Sequence, residues 1–365
     1  MRFIFQIALF LFSLIFLSGY SQDTSLLSGK GFQREYIEQI MHKVNDYQQK
    51  HTGWTDDRNW ERATYYTGVM AFYNELKDEK ILDQAIIWAE SHNWKVGNEL
   101  MFPANRFTCV QTYLDIFFHT GDTSQIEKSK VYMDLEIEET EPAFLRGWYY
   151  IDALYVGPPA FVMMSKATGE NKYKNYINPV FWEIANQLYD TDAKLFYRDS
   201  KARFEEQSKN GKKILWSRGN GWVMAALPRM MLYLPEESPY YQKYQELLVS
   251  MAGALKERQG TDGFWRANLD DPDEFPMPES SGTAFFTYAI AWGINNGQLD
   301  PAIYKPVVEK AWIGLCSVVD EEGKVGWGQK VGRDPANVNA EDTGEYVSGA
   351  FLLAGSEVLK MTAHN

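Results

Sequence analysis

From about residue 35 onward, apolar residues recur every three to four positions, the spacing of one helical face. The pattern predicts twelve helices, over 35–49, 60–76, 80–91, 108–120, 124–137 and 148–168, then 171–188, 221–234, 239–258, 282–295, 301–316 and 344–361. Short loops bearing Gly, Pro, Asp or Asn separate them. "FFHTGD", "MSKATGE" and "LYLPEES" each read as a helix closing on a turn. Helices joined by short loops pack as antiparallel hairpins, and six hairpins close into an all-α (α/α)6 barrel. An open solenoid is the alternative. No linker rich in Ser, Gly or Pro divides the chain, so residues 22–365 read as a single domain. The longest non-helical stretches, 189–219 and 260–281, hold short strand-like pieces such as "KLFYRD" and "KKILWSR". In a barrel such loops gather at one end and build the site.

The first 21 residues are set apart from this pattern. Met1 and Arg2 give a short positive start, "FIFQIALFLFSLIFL" an apolar core, and "SGYSQ" small residues for cleavage between Gly19 and Ser21. This predicts a signal peptide and an exported protein, periplasmic or secreted. A retained anchor is the alternative, but the apolar core is short for a span. No cysteine stands at the cleavage site, which disfavours a lipoprotein.

Composition narrows the function classes. The formal net charge is −13 and no basic stripe is visible, so neither nucleic acid nor, after cleavage, a membrane surface is an expected partner. An anionic small substrate would need a local cation. The 12 Trp, 22 Tyr and 21 Phe suit either a large core or a groove that stacks sugar rings. Cys109 and Cys316 fall in apolar helical contexts and read as buried free thiols. The five histidines, His42, His51, His92, His119 and His364, do not cluster. No metal and no cofactor is expected.

Two stretches carry candidate chemistry. In "RGWYYIDALYVGPP" one acid, Asp152, stands in an aromatic run. On the predicted helix 148–168, Trp148, Asp152 and Tyr155 fall at i, i+4 and i+7, on one face. A carboxyl walled by aromatic rings has its pKa raised by desolvation, which suits a general acid. The alternative is a core Asp satisfied by the backbone or by an Arg. In "WSRGNGW", Asn220 is a candidate N-cap, and Arg218 would point into the site between Trp216 and Trp222 to hold a carboxylate. The alternative there is a plain helix-start turn. "DGFW" with Trp265, "ESSGTAFF" with Glu279, "GWGQKVG" with Trp327 and "EDTGEY" with Glu341 are weaker signals for a sugar groove.

"YYIDALYVGPP", "KLFYRD", "WSRGNGW", "DGFW" and "ESSGTA", in this order, resemble the unsaturated glucuronyl and rhamnogalacturonyl hydrolases of glycoside hydrolase families 88 and 105. The resemblance covers the chain from about Trp60 to its end. It implies an (α/α)6 barrel that removes a terminal 4,5-unsaturated uronic acid from oligosaccharides left by polysaccharide lyases. In the implied mechanism an acid protonates C4 of the enol ether, positive charge develops at C5, water adds there, and the hemiketal opens. Such hydration does not need the carboxylate pair of ordinary glycosidases. Asp152 matches the family's acid/base residue, and Trp216, Arg218 and Trp222 match its turn beside the substrate. Two departures stand out. Asn105 and Arg106 occupy the region where relatives carry a second Asp, and Arg198 stands where many have His. These residues would hold a more anionic or differently oriented ligand, or mark a divergent activity. Two other readings remain: a conventional glycosidase pairing Asp152 with Asp56, Asp57 or Glu279, and a glycan-binding protein without catalysis. An epimerase of the same fold would want paired histidines, which the scattered ones do not offer.

Overall fold

The computed structural model describes residues 29–53, 58–100 and 102–362. The predicted leader, residues 1–21, and the candidate acids Asp56 and Asp57 lie outside these residues. The principal helices are α1 (Arg34–Lys50), α2 (Trp60–Leu76), α3 (Glu79–Ser91), α4 (Thr108–Thr120), α5 (Glu127–Glu138), α6 (Ala153–Val156), α7 (Pro158–Thr168) and α8 (Lys172–Leu188). They continue with α9 (Ser200–Phe204), α10 (Ser217–Met231), α11 (Pro239–Arg258), α12 (Ser280–Asn295), α13 (Pro301–Ser317) and α14 (Glu345–Thr362). A two-residue hairpin pairs β1 (Tyr189–Asp190) with β2 (Leu195–Phe196).

Local chemistry sets the helix ends. Asp78, Ser238 and Asp300 accept backbone N–H bonds as N-caps, the last two followed by proline in the first turn. Gly121 and Gly169 close α4 and α7 in the left-handed conformation, as "FFHTGD" and "MSKATGE" predict.

Helices α2, α4, α7, α10, α12 and α14 are buried on nearly every face, whereas α1, α3, α5, α8, α11 and α13 bury one side. Each inner helix packs on the next, and α14 returns to α2, so the inner ring closes. This is the (α/α)6 barrel that the pattern predicts. At the closing seam the backbones nearly touch. A Cβ on Gly68 would lie 2.3 Å from the Gly349 carbonyl oxygen, and one on Gly349 2.4 Å from that of Thr64. A buried two-pronged ion pair spans the same seam: Arg62 Nε and Nη2 donate to Glu345 Oε2 and Oε1 at 2.7 and 2.6 Å.

Three boundaries differ from the pattern's reading. The stretch 148–168 is not one helix. Gly157, Pro158 and Pro159 separate a single-turn α6 from α7, because proline lacks the N–H that continues the ladder. Helix α10 begins at Ser217, four residues early, so Asn220 lies inside its first turns and is not its N-cap. The 124–137 segment opens with a 3-10 turn, Thr123–Gln125, before α5. Among the described residues, no helix is long and apolar enough to cross a membrane.

Candidate active site

A cavity of about 300 Å³ opens at the end of the barrel where the inner helices begin. Trp60 starts α2, Asn105 precedes α4, Asp152 precedes α6, Trp222 lies near the start of α10, and Arg333 precedes α14. Helix N-termini carry partial positive charge, so this end favours an anionic ligand.

Asp152 reaches solvent only partly. Its Oδ2 is buried and has no hydrogen-bond partner among the described residues. Burial raises its pKa above the ordinary carboxyl value, against the opposing pull of the Arg198 and Arg218 guanidiniums. The indole N–H of Trp222, also without a formed hydrogen bond, lies beside it and favours the ionised form. A carboxyl whose pKa is raised by burial and which lines a cavity is suited to give a proton and take one back.

Aromatic rings wall the cavity. Trp60 meets Trp222 edge-on at 5.9 Å, and Phe102 meets Tyr150 at 4.8 Å. The Tyr150 hydroxyl donates to Asn105 Oδ1 at 2.7 Å, and burial keeps that phenol protonated. Since Asn105 spends its oxygen on Tyr150, its NH2 is the group left for a ligand.

Two cations face the cavity. Arg198 is 7% exposed, is paired with Asp199, and lies 5.8 Å from the centre of the Tyr150 ring. Its Nε is buried without a hydrogen-bond partner among the described residues. Arg333 lies 5.2 Å from the centre of the Phe102 ring. Asn220 sets the place of Arg198. Its side chain accepts from the Phe196 N–H at 2.8 Å and donates to the Phe196 carbonyl at 2.9 Å, clasping the strand that leads into Arg198.

The structure therefore brings Asn105, Asp152, Arg198 and Trp222 together, as the sequence suggests, but moves the other candidates. Trp148 is fully buried behind the cavity, its ring within 2.7 Å of where a Gly157 Cβ would stand. Tyr155 is also buried, its hydroxyl 3.0 Å from Thr67 Oγ1. Since α6 begins only at Ala153, Trp148 and Asp152 lie before it, and the helical face they would share with Tyr155 does not exist.

Arg218 does not point between two indoles at a ligand. It is 1% exposed and stacks between Trp216 and Tyr346, 4.5 and 5.1 Å from their ring centres. Trp216 sits behind it and donates to Gln329 Oε1 at 2.9 Å. Asn220 acts through the strand, not on a ligand. Arg106 donates to the Glu99 carbonyl at 2.6 Å and does not line the cavity. Trp265 is a core residue bonded to the Leu255 carbonyl at 2.8 Å. Trp327 serves the backbone, its carbonyl accepting from Ser280 N–H at 2.8 Å. Glu279 caps α12 through the N–H groups of Ser281 and Gly282, at 2.9 and 2.7 Å, so its carboxylate is committed.

Trp60, Glu99, Phe102, Tyr150 and Arg333 also line the cavity, and sequence reasoning passed over them. Tyr150 was within reach, two residues before Asp152 in the same aromatic run. Arg333 follows directly on "GWGQKVG". The other three come from the start of α2 and the segment between α3 and α4, with no local signal that they converge.

The family model described as Glycosyl Hydrolase Family 88 matches residues 33–362. An unsaturated 3S-rhamnoglycuronyl hydrolase of Formosa agariphila is 32% identical, over 97% of this chain and 98% of its own. A solved family 88 glycosyl hydrolase of Bacteroides vulgatus superposes with a TM-score of 0.83 at 32% identity, covering 90% of this chain and 99% of its own. A solved protein called a polysaccharide lyase matches as well, with a TM-score of 0.83 and 32% identity over 91% of this chain and 99% of that one. A match spanning nearly the whole barrel, with relatives of this identity and coverage, places the chain in glycosyl hydrolase family 88, and it is a glycoside hydrolase.

Proposed function

We propose that the protein removes a terminal 4,5-unsaturated uronic acid from oligosaccharides left by polysaccharide lyases, with Asp152 as the proton donor. One observation carries the reading: a carboxyl with a raised pKa lines a small cavity that also holds two guanidiniums. Asp152 protonates C4 of the enol ether, charge develops at C5, and the carboxylate left behind draws the proton from the water that adds there. The hemiketal then opens and releases the sugar. Arg198, which lines the cavity, holds the uronate carboxylate, a task the sequence assigns to Arg218. A cavity near 300 Å³ is at the small end for ligand sites, which suits a chain end more than the middle of a polymer. The name of the Formosa relative favours rhamnose–uronate oligosaccharides as the substrates. The leader-like residues 1–21 support export to the periplasm or beyond.

A second reading has the similar polysaccharide lyase behind it. Elimination would take the C5 proton of a saturated uronate and break its C4–O bond, forming the double bond that the first reaction consumes. A single assay separates them by sign. Lyase-digested pectin, ulvan, arabinogalactan and glycosaminoglycans are incubated with the protein, as are the undigested polymers, and ultraviolet absorbance is followed. Loss of absorbance on one of the digests supports hydration. A rise on an undigested polymer, with no loss on any digest, replaces it with elimination.

A further inference from the structure

The single-turn helix α6 follows directly on Asp152, and its hydrogen bonding is incomplete by construction. An α-helix would return the N–H of residue 159 to the carbonyl of Tyr155, but Pro159 has no N–H. The Tyr155 carbonyl is nevertheless paired. Gln111, fully buried on α4, donates to it from Nε2 at 2.9 Å. The other end of the same amide is held as firmly. Gln111 Oε1 accepts from Arg229 Nε at 2.6 Å, and Arg229 Nη2 is paired with Asp115 Oδ2 at 2.9 Å. The Tyr233 hydroxyl donates to the second oxygen of Asp115 at 3.2 Å.

A guanidinium only donates, so Gln111 must turn its oxygen to Arg229 and its NH2 to Tyr155. The Asp152 carbonyl accepts from the N–H groups of Tyr155 and Val156, at 3.0 and 3.1 Å. A shift of α6 is therefore passed straight to Asp152. We propose that Gln111 is a positioning residue for Asp152: its amide replaces the N–H that Pro159 lacks, and the Arg229–Asp115 pair fixes which way that amide faces. The proposal rests on Asp152 being the proton donor.

The test compares kcat, KM and thermal midpoint on an unsaturated oligosaccharide for wild type, Gln111→Met and Gln111→Met with Pro159→Ala. The first variant is expected to fold, to hold KM within about threefold and to lose about 10- to 100-fold in kcat, the scale of a displaced catalytic group. Adding Pro159→Ala supplies the missing N–H and is expected to return most of that loss, which a packing role for Gln111 would not do. Gln111→Glu keeps an acceptor for Arg229 and replaces the donor at the Tyr155 carbonyl with an acidic oxygen. It is expected to lose kcat to a similar extent, and it takes the place of the Met variant if that one does not fold. Unchanged kcat without the donor, or a loss that Pro159→Ala leaves untouched, overturns the proposal. Asp152→Asn is run beside them. Normal turnover in that variant removes the proton-donor role itself, whatever Gln111 does.

Discussion

Arg218 donates from Nη1 to the Gln329 carbonyl at 2.6 Å, tying the start of α10 to the loop that walls the cavity. The same guanidinium reaches the carbonyls of Lys330 and Gly332 at 3.2 and 3.3 Å. Arg218→Lys keeps the charge but not the fork. It is expected to cost about 1.5–3 kcal/mol of stability, the scale of a charged hydrogen bond, measured by urea unfolding. It should weaken a uronate and a neutral sugar equally, because the loop is what it disturbs. Selective loss of uronate binding would return Arg218 to the ligand.

Arg198 is where charge selectivity is expected. It lines the cavity, and its Nε is buried with no hydrogen-bond partner among the described residues. Arg198→Lys should weaken an unsaturated uronate by about 1.5–3 kcal/mol and leave a neutral sugar nearly unaffected. Calorimetric titration of both ligands into both proteins reads this directly. Equal weakening would shift the carboxylate contact to Arg333.

The legible and illegible parts of this chain divide by range. Helical faces, caps and glycine stops act over a few residues, so eleven of the twelve main helices could be read to within a few positions. The break inside 148–168 was also written locally, in Gly157-Pro158-Pro159, and was outweighed by the apolar run around it. Arg218 was misplaced for a different reason. A guanidinium between aromatic residues looks the same in sequence whether it faces a ligand or a loop 111 residues away. The roles of Arg62, Gln111 and Asn220 depend on partners 283, 44 and 24 residues distant. Nothing in their own neighbourhoods marks them.

Glu61 makes stability depend on pH. Burial, then the nearby Glu345 carboxylate, raises its pKa from 4.5 to about 7, against the pull of the Asn59 amide. A pKa raised on folding means stability that is full below the unfolded value and lost as pH rises through the folded one. Between pH 5 and pH 8 the wild type should therefore lose part of its thermal stability, and Glu61→Gln should lose less. Melting curves of both across that window check it. Parallel curves would show that Glu61 does not titrate there.

Trp222→Phe tests how Asp152 is tuned. The indole N–H favours the ionised carboxyl, so its removal should raise the Asp152 pKa further. The acid must be protonated to act, so the alkaline fall of the rate profile should move to higher pH in the variant. A fall at unchanged or lower pH would mean that the indole does not act on this carboxyl.

Asp152→Asn tests the chemistry itself. The amide fills the same space and cannot give a proton. With the melting temperature near that of the wild type, kcat for loss of the unsaturated chromophore should drop by about a hundredfold or more, the scale of general acid catalysis. A folded Asp152→Asn protein that turns over at close to the wild-type rate would contradict the assignment of Asp152 as the proton donor.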